Sequence, residues 1–583
     1  MESPMRAGLP LMIRFLTIAT IIPFFSVGLR SGSPGVPCKE GQKRALLMLK
    51  KDLKDPSNRL LSWTSYGDCC NWTGVVCDHL TGHIRELRLT NPNSHQDIHE
   101  SYGDNYYRNT WLGGKVNPSL LHLKNLNYLD LSYNKFQGLQ IPSFFGSLKT
   151  LRYLNISEAG FQGLIPPQLG NLTNLRYLGL RDDTLKAENL EWISGLPHLK
   201  HLDMSFVNLS KSSNWLKTVN MLPSLVELRM VYCQLDHIPP LLPIINFTSL
   251  SILDLFGNPF NSLMPRWVFS LTNLVSLSLK SCGFQGSVSI HPSTNATTSL
   301  KGTDLSLDKL CELIHLDLSH NRFHGSVSEV FESLSGCSSF RIESLLLGSN
   351  NLSGHLTEHV EKFKRIIHLD LSCNSISGLI LESLGNLSHL TRLLISHNQF
   401  KGALPEGIGQ LGMLTDFDIS YNFLQGIGSA HALDANNARG LASSFSTSAF
   451  MVGLNFRYHS NLVLEHIFAV AYCNLSHNQM HGKLQNIVVG RHIDLSSNQF
   501  NGSLPLVSSS VRILNLANSS LSGSLIHFFG DRMDEPKELT SVYLRDNLLT
   551  GEIPNCLMNW KLLLTLNLKG NKLTGNIPIS IGY

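Results

Sequence analysis

The sequence predicts an α/β repeat solenoid: a curved β-solenoid with a parallel sheet along its concave face and a disulfide-braced N-terminal cap. Three observations predict it. A short stretch ending in Asn recurs at a fixed interval, a Gly- and Pro-bearing stretch follows it, and four cysteines cluster ahead of the first copy. A period of this size marks a chain in which each unit buries its apolar face only against its neighbours.

Residues 1–30 read as an export signal. Arg6 gives a short positive region, and Phe15 to Leu29 is an apolar run. A membrane anchor is the alternative reading, but the run is short, Pro23 interrupts it and Arg14 sits at its edge. No later stretch has the ~20 apolar residues that cross a bilayer, so no span is expected apart from the signal.

Residues 38–83 form the expected cap. Cys38, Cys69, Cys70 and Cys77 lie in it, among 11 cysteines that suit an oxidising compartment only if some pair. Adjacent Cys69 and Cys70 would need a strained ring to bond each other, so each is expected to bond outward. Cys38–Cys69 with Cys70–Cys77 is the preferred pairing, and sequence alone leaves the other connectivities open. Arg44 to Lys54 reads as a short amphipathic helix, and Trp63 and Trp72 are placed to seal the first coil.

Residues 84–426 carry the first block of repeats. "YLDLSYN" ends at Asn134, "ILDLFGN" at Asn258, "HLDLSHN" at Asn321 and "LLLGSN" at Asn350; "HLDLSCN" ends at Asn374, "LLISHN" at Asn398 and "DFDISYN" at Asn422. The last four are each 24 residues apart. The L-x-x-L-x-L-x-x-N/C-x-L unit is the leucine-rich repeat. Alternation in "LDL" turns the leucines inward and the residue between them outward on a short strand. The Asn is expected to turn inward and bond backbone groups of adjoining coils. Cys233 and Cys282 hold that Asn position and read as ladder thiols. After the Asn, "FQGLIPPQLG" from Phe161 and "FKGALPEGIG" from Phe400 give a turn at Gly, an extended step before Pro and a short convex helical turn.

Residues 427–472 break the period. The interval from Asn422 to Asn478 is 56 residues and has no clear ladder. It reads either as an island loop projecting from the solenoid or as the trace of lost repeats, and the lack of Gly/Pro punctuation favours the second. Asn91–Trp111 and Ser287–Lys309 are milder insertions. Residues 473–583 form the second block, ending inside a repeat unit without a closing cap. Cys311 and Cys337 are one coil apart, so a bond between neighbouring turns is expected.

The L-x-G-x-I-P element and the segment Ala45–Asp78 resemble the plant extracellular leucine-rich-repeat proteins. "SEVFESLSGCSSFRIESL" and the stretch from Leu484 to Leu544 are similar to receptor-like proteins of the disease-resistance, xylanase-receptor-like class, with the C-terminus here read as truncated. The resemblance implies recognition of an extracellular peptide, protein or glycan ligand in plant defence, signalling through partner receptor-like kinases. It also implies a plasma-membrane location, extracellular face, for the full-length form, whereas this chain as given would be secreted. Related chains often carry Cys at the place of Gly530, so Cys556 is expected to lack a partner. The alternative function is a secreted inhibitor of microbial wall-degrading enzymes, or a truncated non-signalling product.

Composition excludes several classes. With 47 basic against 43 acidic residues and a net charge of +4, no basic patch suggests nucleic acid. "GIGQLG" matches a glycine-rich phosphate motif but falls on a convex turn, and kinase and zinc signatures are missing, so neither an enzyme nor a cofactor or metal site is expected. His198 and His201 flank a strand and are expected to bind no metal. Asp130, Asp254, Asp317 and Asp370 recur in register, which argues for scaffold.

Binding residues are sought where the outward pattern changes. Arg181, Asp182, Phe206, Arg229, Val231, Tyr232, Phe256 and Lys280 replace the usual small residues, and Tyr128, Tyr153 and Tyr177 align one coil apart just before them. Arginines and aromatics are the types enriched where binding energy concentrates. Outward His315, His368, His397 and His477 read as solvated groups. Eleven sequons support export: Asn71, Asn155, Asn171, Asn208, Asn246, Asn295, Asn351, Asn386, Asn474, Asn501 and Asn518.

Overall fold

The computed structural model of the chain describes residues 36–92, 110–287, 307–428, 471–484, 487, 490–530 and 538–578. The export signal, Asn295, most of the 91–111 loop and residues 429–470 lie outside the described residues.

Each repeat contributes a three-residue strand to one long sheet. From Ile84–Arg88, through Tyr128–Asp130, Tyr153–Asn155, Tyr177–Gly179, His201–Asp203, Glu227–Arg229 and Ile252–Asp254, to Thr565–Asn567, every strand pairs in parallel with the next. Register is kept by the central leucines, with Leu202 opposite Leu228 and Leu228 opposite Leu253. These leucines are buried because the strand alternates and its inner face meets the coil interior. A second spine of rings runs beside them, Phe136 on Phe161 at 5.1 Å and Phe260 on Phe284 at 5.6 Å. Burying one such side chain contributes about 1.5–3 kcal/mol, so the fold's stability is spread along the solenoid.

The convex side is made of single helical turns such as Pro167–Asn171, Glu406–Gln410 and Trp215–Val219, with a longer helix at Val327–Leu334. Strands Asp416–Asp418 and Tyr472–Asn474 pair directly, so the interval 427–472 interrupts no step of the concave sheet.

The Asn ladder behaves as its chemistry requires. Asn258 is fully buried; its amide donates to the Met230 and Leu255 carbonyls at 2.7 and 2.8 Å, and its oxygen accepts from Cys233 N and Leu235 N at 3.0 and 3.1 Å. Cys233 and Cys282 stand in the same ladder. Their thiols donate to the Met204 and Leu255 carbonyls at 3.1 and 3.2 Å, and burial pushes the Cys282 thiol up to about 12.

In the cap, the bonds Cys38–Cys69 and Cys70–Cys77 are formed, as is Cys311–Cys337 further along. Trp63 stacks on Trp72 at 5.7 Å. The helix expected over Arg44–Lys54 instead runs over Glu40–Asp52. Its start is earlier because buried Gln42 accepts the Ile84 N–H at 2.8 Å, and its end is earlier because Leu53–Lys54 pairs as a strand with Gly113–Gly114. Arg59, unnoticed in the sequence, closes the ladder's first step: its guanidinium donates to the carbonyls of Leu89, Thr90 and Thr110 and to Asn134 Oδ1.

Candidate functional site

Three outward columns run across the concave sheet, because every strand presents the same three positions. In most coils the middle column is scaffold. Asp130, Asp317 and Asp370 each accept from the backbone N–H and hydroxyl of the Ser two residues on, at 2.6–3.0 Å, which locks the strand exit. Asp254 does the same for the Phe256 N–H at 3.2 Å, and burial raises its carboxyl above the usual range.

Between Tyr128 and Lys280 the flanking columns change into two aromatic stripes. The first is the tyrosine column. Tyr128 stacks on Tyr153 with centroids 4.0 Å apart, Tyr153 on Tyr177 at 4.3 Å, and Tyr177 meets His201 at 5.9 Å. The Arg88 guanidinium caps the near end, 5.2 Å over Tyr128. Burial lifts all three phenols above their ordinary range, so they serve as neutral hydroxyls. At the far end His201 Nδ1 lies 2.9 Å from Glu227 Oε2, and Arg229 pairs with the other oxygen of Glu227 and lies 3.7 Å from Asp254. Burial alone would raise the Glu227 carboxyl, but the His201 hydrogen bond and the Arg229 charge outweigh it and hold it at about 2.

The second stripe lies at the strand exits. Phe206 and Tyr232 take left-handed backbone conformations, φ 68° and 51°, held by Phe206 N donating to Val231 O and Tyr232 N to Phe256 O. Their rings are 5.8 Å apart, and Tyr232 meets Phe256 at 4.6 Å. Gly257 is required here, since a Cβ on it would overlap the Tyr232 ring. Arg181 lies 4.7 Å over Phe206 and Lys280 5.6 Å over Phe256, so a cation closes each end. Arg181 also pairs with Glu158 at 2.9 Å. Tyr232 is 43% exposed, the most open ring of the stripe.

The structure thus brings the sequence-chosen residues together, with two qualifications. Asp182 does not present to solvent. It is buried, its carboxylate accepting from Gly160 N, Thr184 N and the Thr184 hydroxyl, because this coil has no ladder Asn and Asp182 takes over the bonding. Arg229 is held by Glu227 and Asp254, so it braces the floor between the stripes. Val231 sits half-buried on that floor.

Sequence reasoning missed Glu227 and gave His201 no ligand role; the signal was their place at the first strand position, in line with the tyrosines. It also missed the interleaving of His397, Tyr421 and His477, which stack at 4.1 and 4.0 Å farther along the strand-exit column. Cys373, at the same column, is exposed. Among the described residues the metal-type donor clusters are cap groups built on cysteines already tied in disulfides. The sequons divide by position: Asn71, Asn171, Asn246, Asn351, Asn386, Asn501 and Asn518 are exposed, whereas Asn155, Asn208 and Asn474 are half-buried.

Comparison with known proteins agrees with this architecture. A leucine-rich-repeat N-terminal domain matches residues 39–78, and leucine-rich repeats match 125–148, 150–172, 312–334, 365–387, 389–411, 538–560 and 562–583. The chain is 33% identical over 318 residues to tomato receptor-like protein EIX1, covering 53% of this chain and 29% of that one. It is 36% identical over 228 residues to receptor-like protein Cf-9 of Solanum pimpinellifolium, covering 38% and 21%. The chain therefore spans about a third or less of the curated relatives it matches. Among solved structures, the Arabidopsis HAESA ectodomain in complex with an extended IDA peptide hormone superposes with a TM-score of 0.60 at 21% identity, over 93% of this chain and 79% of that one. The PEPR1–AtPEP1 structure gives 0.57 at 24%, over 93% and 77%. At these identities the likeness shows the fold.

Proposed function

We propose, from the premise that this chain is a plant leucine-rich-repeat receptor-like protein related to EIX1, EIX2 and Cf-9, that it recognises an extracellular ligand in its concave furrow. The family is non-catalytic, and the work of the site is binding. One observation carries the reading: two aromatic stripes in opposite columns of the concave sheet follow one another and meet at the coil of strand His201–Asp203, with the polar His201–Glu227–Arg229 group where they meet.

The ring geometry selects among ligands. Tyr128, Tyr153 and Tyr177 are stacked face to face, so they offer edges and hydroxyls, and sugar rings pack best on open faces. An extended peptide segment suits the furrow better, with apolar side chains against the ring edges and its backbone over Asn155, Ser157, Asp203 and Ser205. A peptide hormone is also the ligand in the HAESA complex. Recognition would serve plant defence at the outer face of the plasma membrane and pass to partner receptor-like kinases.

The test is selection of binding peptides from a displayed random library against the secreted protein, followed by affinity measurement on variants. Tyr232→Ala with Phe256→Ala should weaken selected peptides by about 30-fold or more, the scale of a lost hot spot. Asp370→Asn, outside the furrow, should leave affinity unchanged. Equal affinity for the double variant and the unaltered protein would overturn the reading.

A further inference from the structure

Exposed aliphatic side chains are scattered singly over most of the described surface, but one convex loop gathers them beside a sequon. In "HIPPLLPIINFT", His237 to Thr248, Phe247 is buried and Leu242 and Ile245 pack against the core. Leu241 and Ile244 point the other way, 63% and 69% exposed, and Met221 of the preceding coil is 58% exposed. Asn220 ties these pieces together: its amide donates to Ile244 O at 2.7 Å and its oxygen accepts the Asn246 N–H at 2.9 Å. The Asn246 backbone is therefore tied to the coil that carries Met221, with its own side chain exposed.

Register adds a second, independent observation. Asn246 stands six residues ahead of strand Ile252–Asp254, as Asn171 does ahead of Tyr177–Gly179 and Asn386 ahead of Arg392–Leu394. All three asparagines are exposed and share one rim, away from the furrow. Met221 holds the same position one coil before Asn246. The concave sequons differ. Asn155 Oδ1 accepts the Ser157 N–H at 3.1 Å and Asn474 Oδ1 accepts the Ser476 N–H at 3.1 Å, so both side chains belong to the strand exits.

We propose that an N-linked glycan on Asn246 covers Met221, Leu241 and Ile244 and keeps this loop from self-association. The bond formed joins Asn246 Nδ2 to the anomeric carbon of a lipid-pyrophosphate-linked oligosaccharide; the lipid pyrophosphate leaves and the amide loses one proton. Phe247 and Thr248 complete the sequon, and the sugar's apolar faces meet aliphatic groups that have no protein cover among the described residues. The inference rests on the secretory part of the proposed function and is independent of what the furrow binds.

The test uses the full chain expressed in a eukaryotic secretory host. Glycopeptide mapping should find Asn246 occupied, and Asn246→Gln and Thr248→Ala should each remove one glycan. Both variants should show a several-fold rise in emission of a hydrophobic-surface dye and concentration-dependent self-association. Adding Leu241→Ser and Ile244→Ser to Asn246→Gln should reverse both effects. Where a variant is not secreted, enzymatic removal of glycans from the folded unaltered protein gives the same readouts. An unoccupied Asn246, or a deglycosylated protein with unchanged dye emission and association, overturns the proposal. Peptide affinity of the furrow should stay constant throughout, which separates failure here from failure of the binding reading.

Discussion

Replacing Asn258 by Ala tests the ladder that holds the furrow's coils in register. The side chain is fully buried and makes four bonds, two donated to the Met230 and Leu255 carbonyls and two accepted from Cys233 N and Leu235 N. Alanine removes the Asn258 partner from Met230 O, Cys233 N and Leu235 N in a space closed to water, while Leu255 O keeps the Cys282 thiol. An orphaned buried group costs about 1–3 kcal/mol. Taking the low end for these three groups, because neighbouring coils can shift, the loss is about 3 kcal/mol. Asn571 sits in the last described coil, half-buried, where water can replace the lost bonds, so Asn571→Ala should cost only about 1 kcal/mol. Asn258→Cys should fall between Asn258 and Ala, since a ladder thiol, as at Cys233 and Cys282, still donates to a carbonyl of the preceding coil but sulfur is only a weak acceptor for N–H groups. Urea unfolding followed by circular dichroism measures the totals, and hydrogen exchange at residues 228–235 locates the effect. A cost for Asn258→Ala below about 1 kcal/mol, or equal to that of Asn571→Ala, would refute the ladder argument.

Glu227→Gln should flatten acid sensitivity. The carboxyl is held near 2 against an ordinary 4.5, so its contribution is complete above pH 4.5 and is lost as pH falls through 2. That difference is worth at most about 3 kcal/mol, visible as a variant-minus-parent stability gap that narrows over this window in pH-dependent urea melts. Gly530→Cys should give Cys556 a partner: a Cβ built at Gly530 lies 3.9 Å from Cys556 Sγ, and its nearest neighbour, Ile526, is at an ordinary contact distance of 3.4 Å. Closing that loop should stabilise the region by about 3 kcal/mol, read as a thermal shift that disappears under reductant. In the last coil Leu562, Leu564 and Ile577 are 53%, 85% and 74% exposed, so amides of Thr565–Leu573 should exchange faster than those of Ile252–Ser278. Equal protection in the two segments would contradict the packing account.

The repeat, the ladder and the cap were legible because each follows from one local rule applied many times. An inward Asn or Cys at the ladder position of most coils, a leucine pair on most strands and a turn at Gly leave little freedom to the coil. The site was legible in part. Tyr128, Tyr153 and Tyr177 could be aligned by spacing alone, because parallel strands in register convert equal spacing into stacking. Asp182 was misjudged because the inward or outward sense of that turn depends on which side chain meets the Gly160 N–H, and the coil has no ladder Asn to do so. Arg59 was invisible for a related reason. Its partners lie on Leu89, Thr90, Thr110 and Asn134, and no sequence period links a cap residue to the first coil. Glu227 was overlooked because no local rule marks it, although its column holds the tyrosines.

The proposed ligand lies between the two stripes. Hydroxyl-radical footprinting of the secreted protein, with and without a selected peptide, measures this directly. The expected result is protection of Tyr177, Phe206, Tyr232 and Phe256 on binding, with the His397–Tyr421–His477 stack unchanged. Protection confined to that stack or to the convex face, with the furrow rings oxidised as in the free protein, would contradict it.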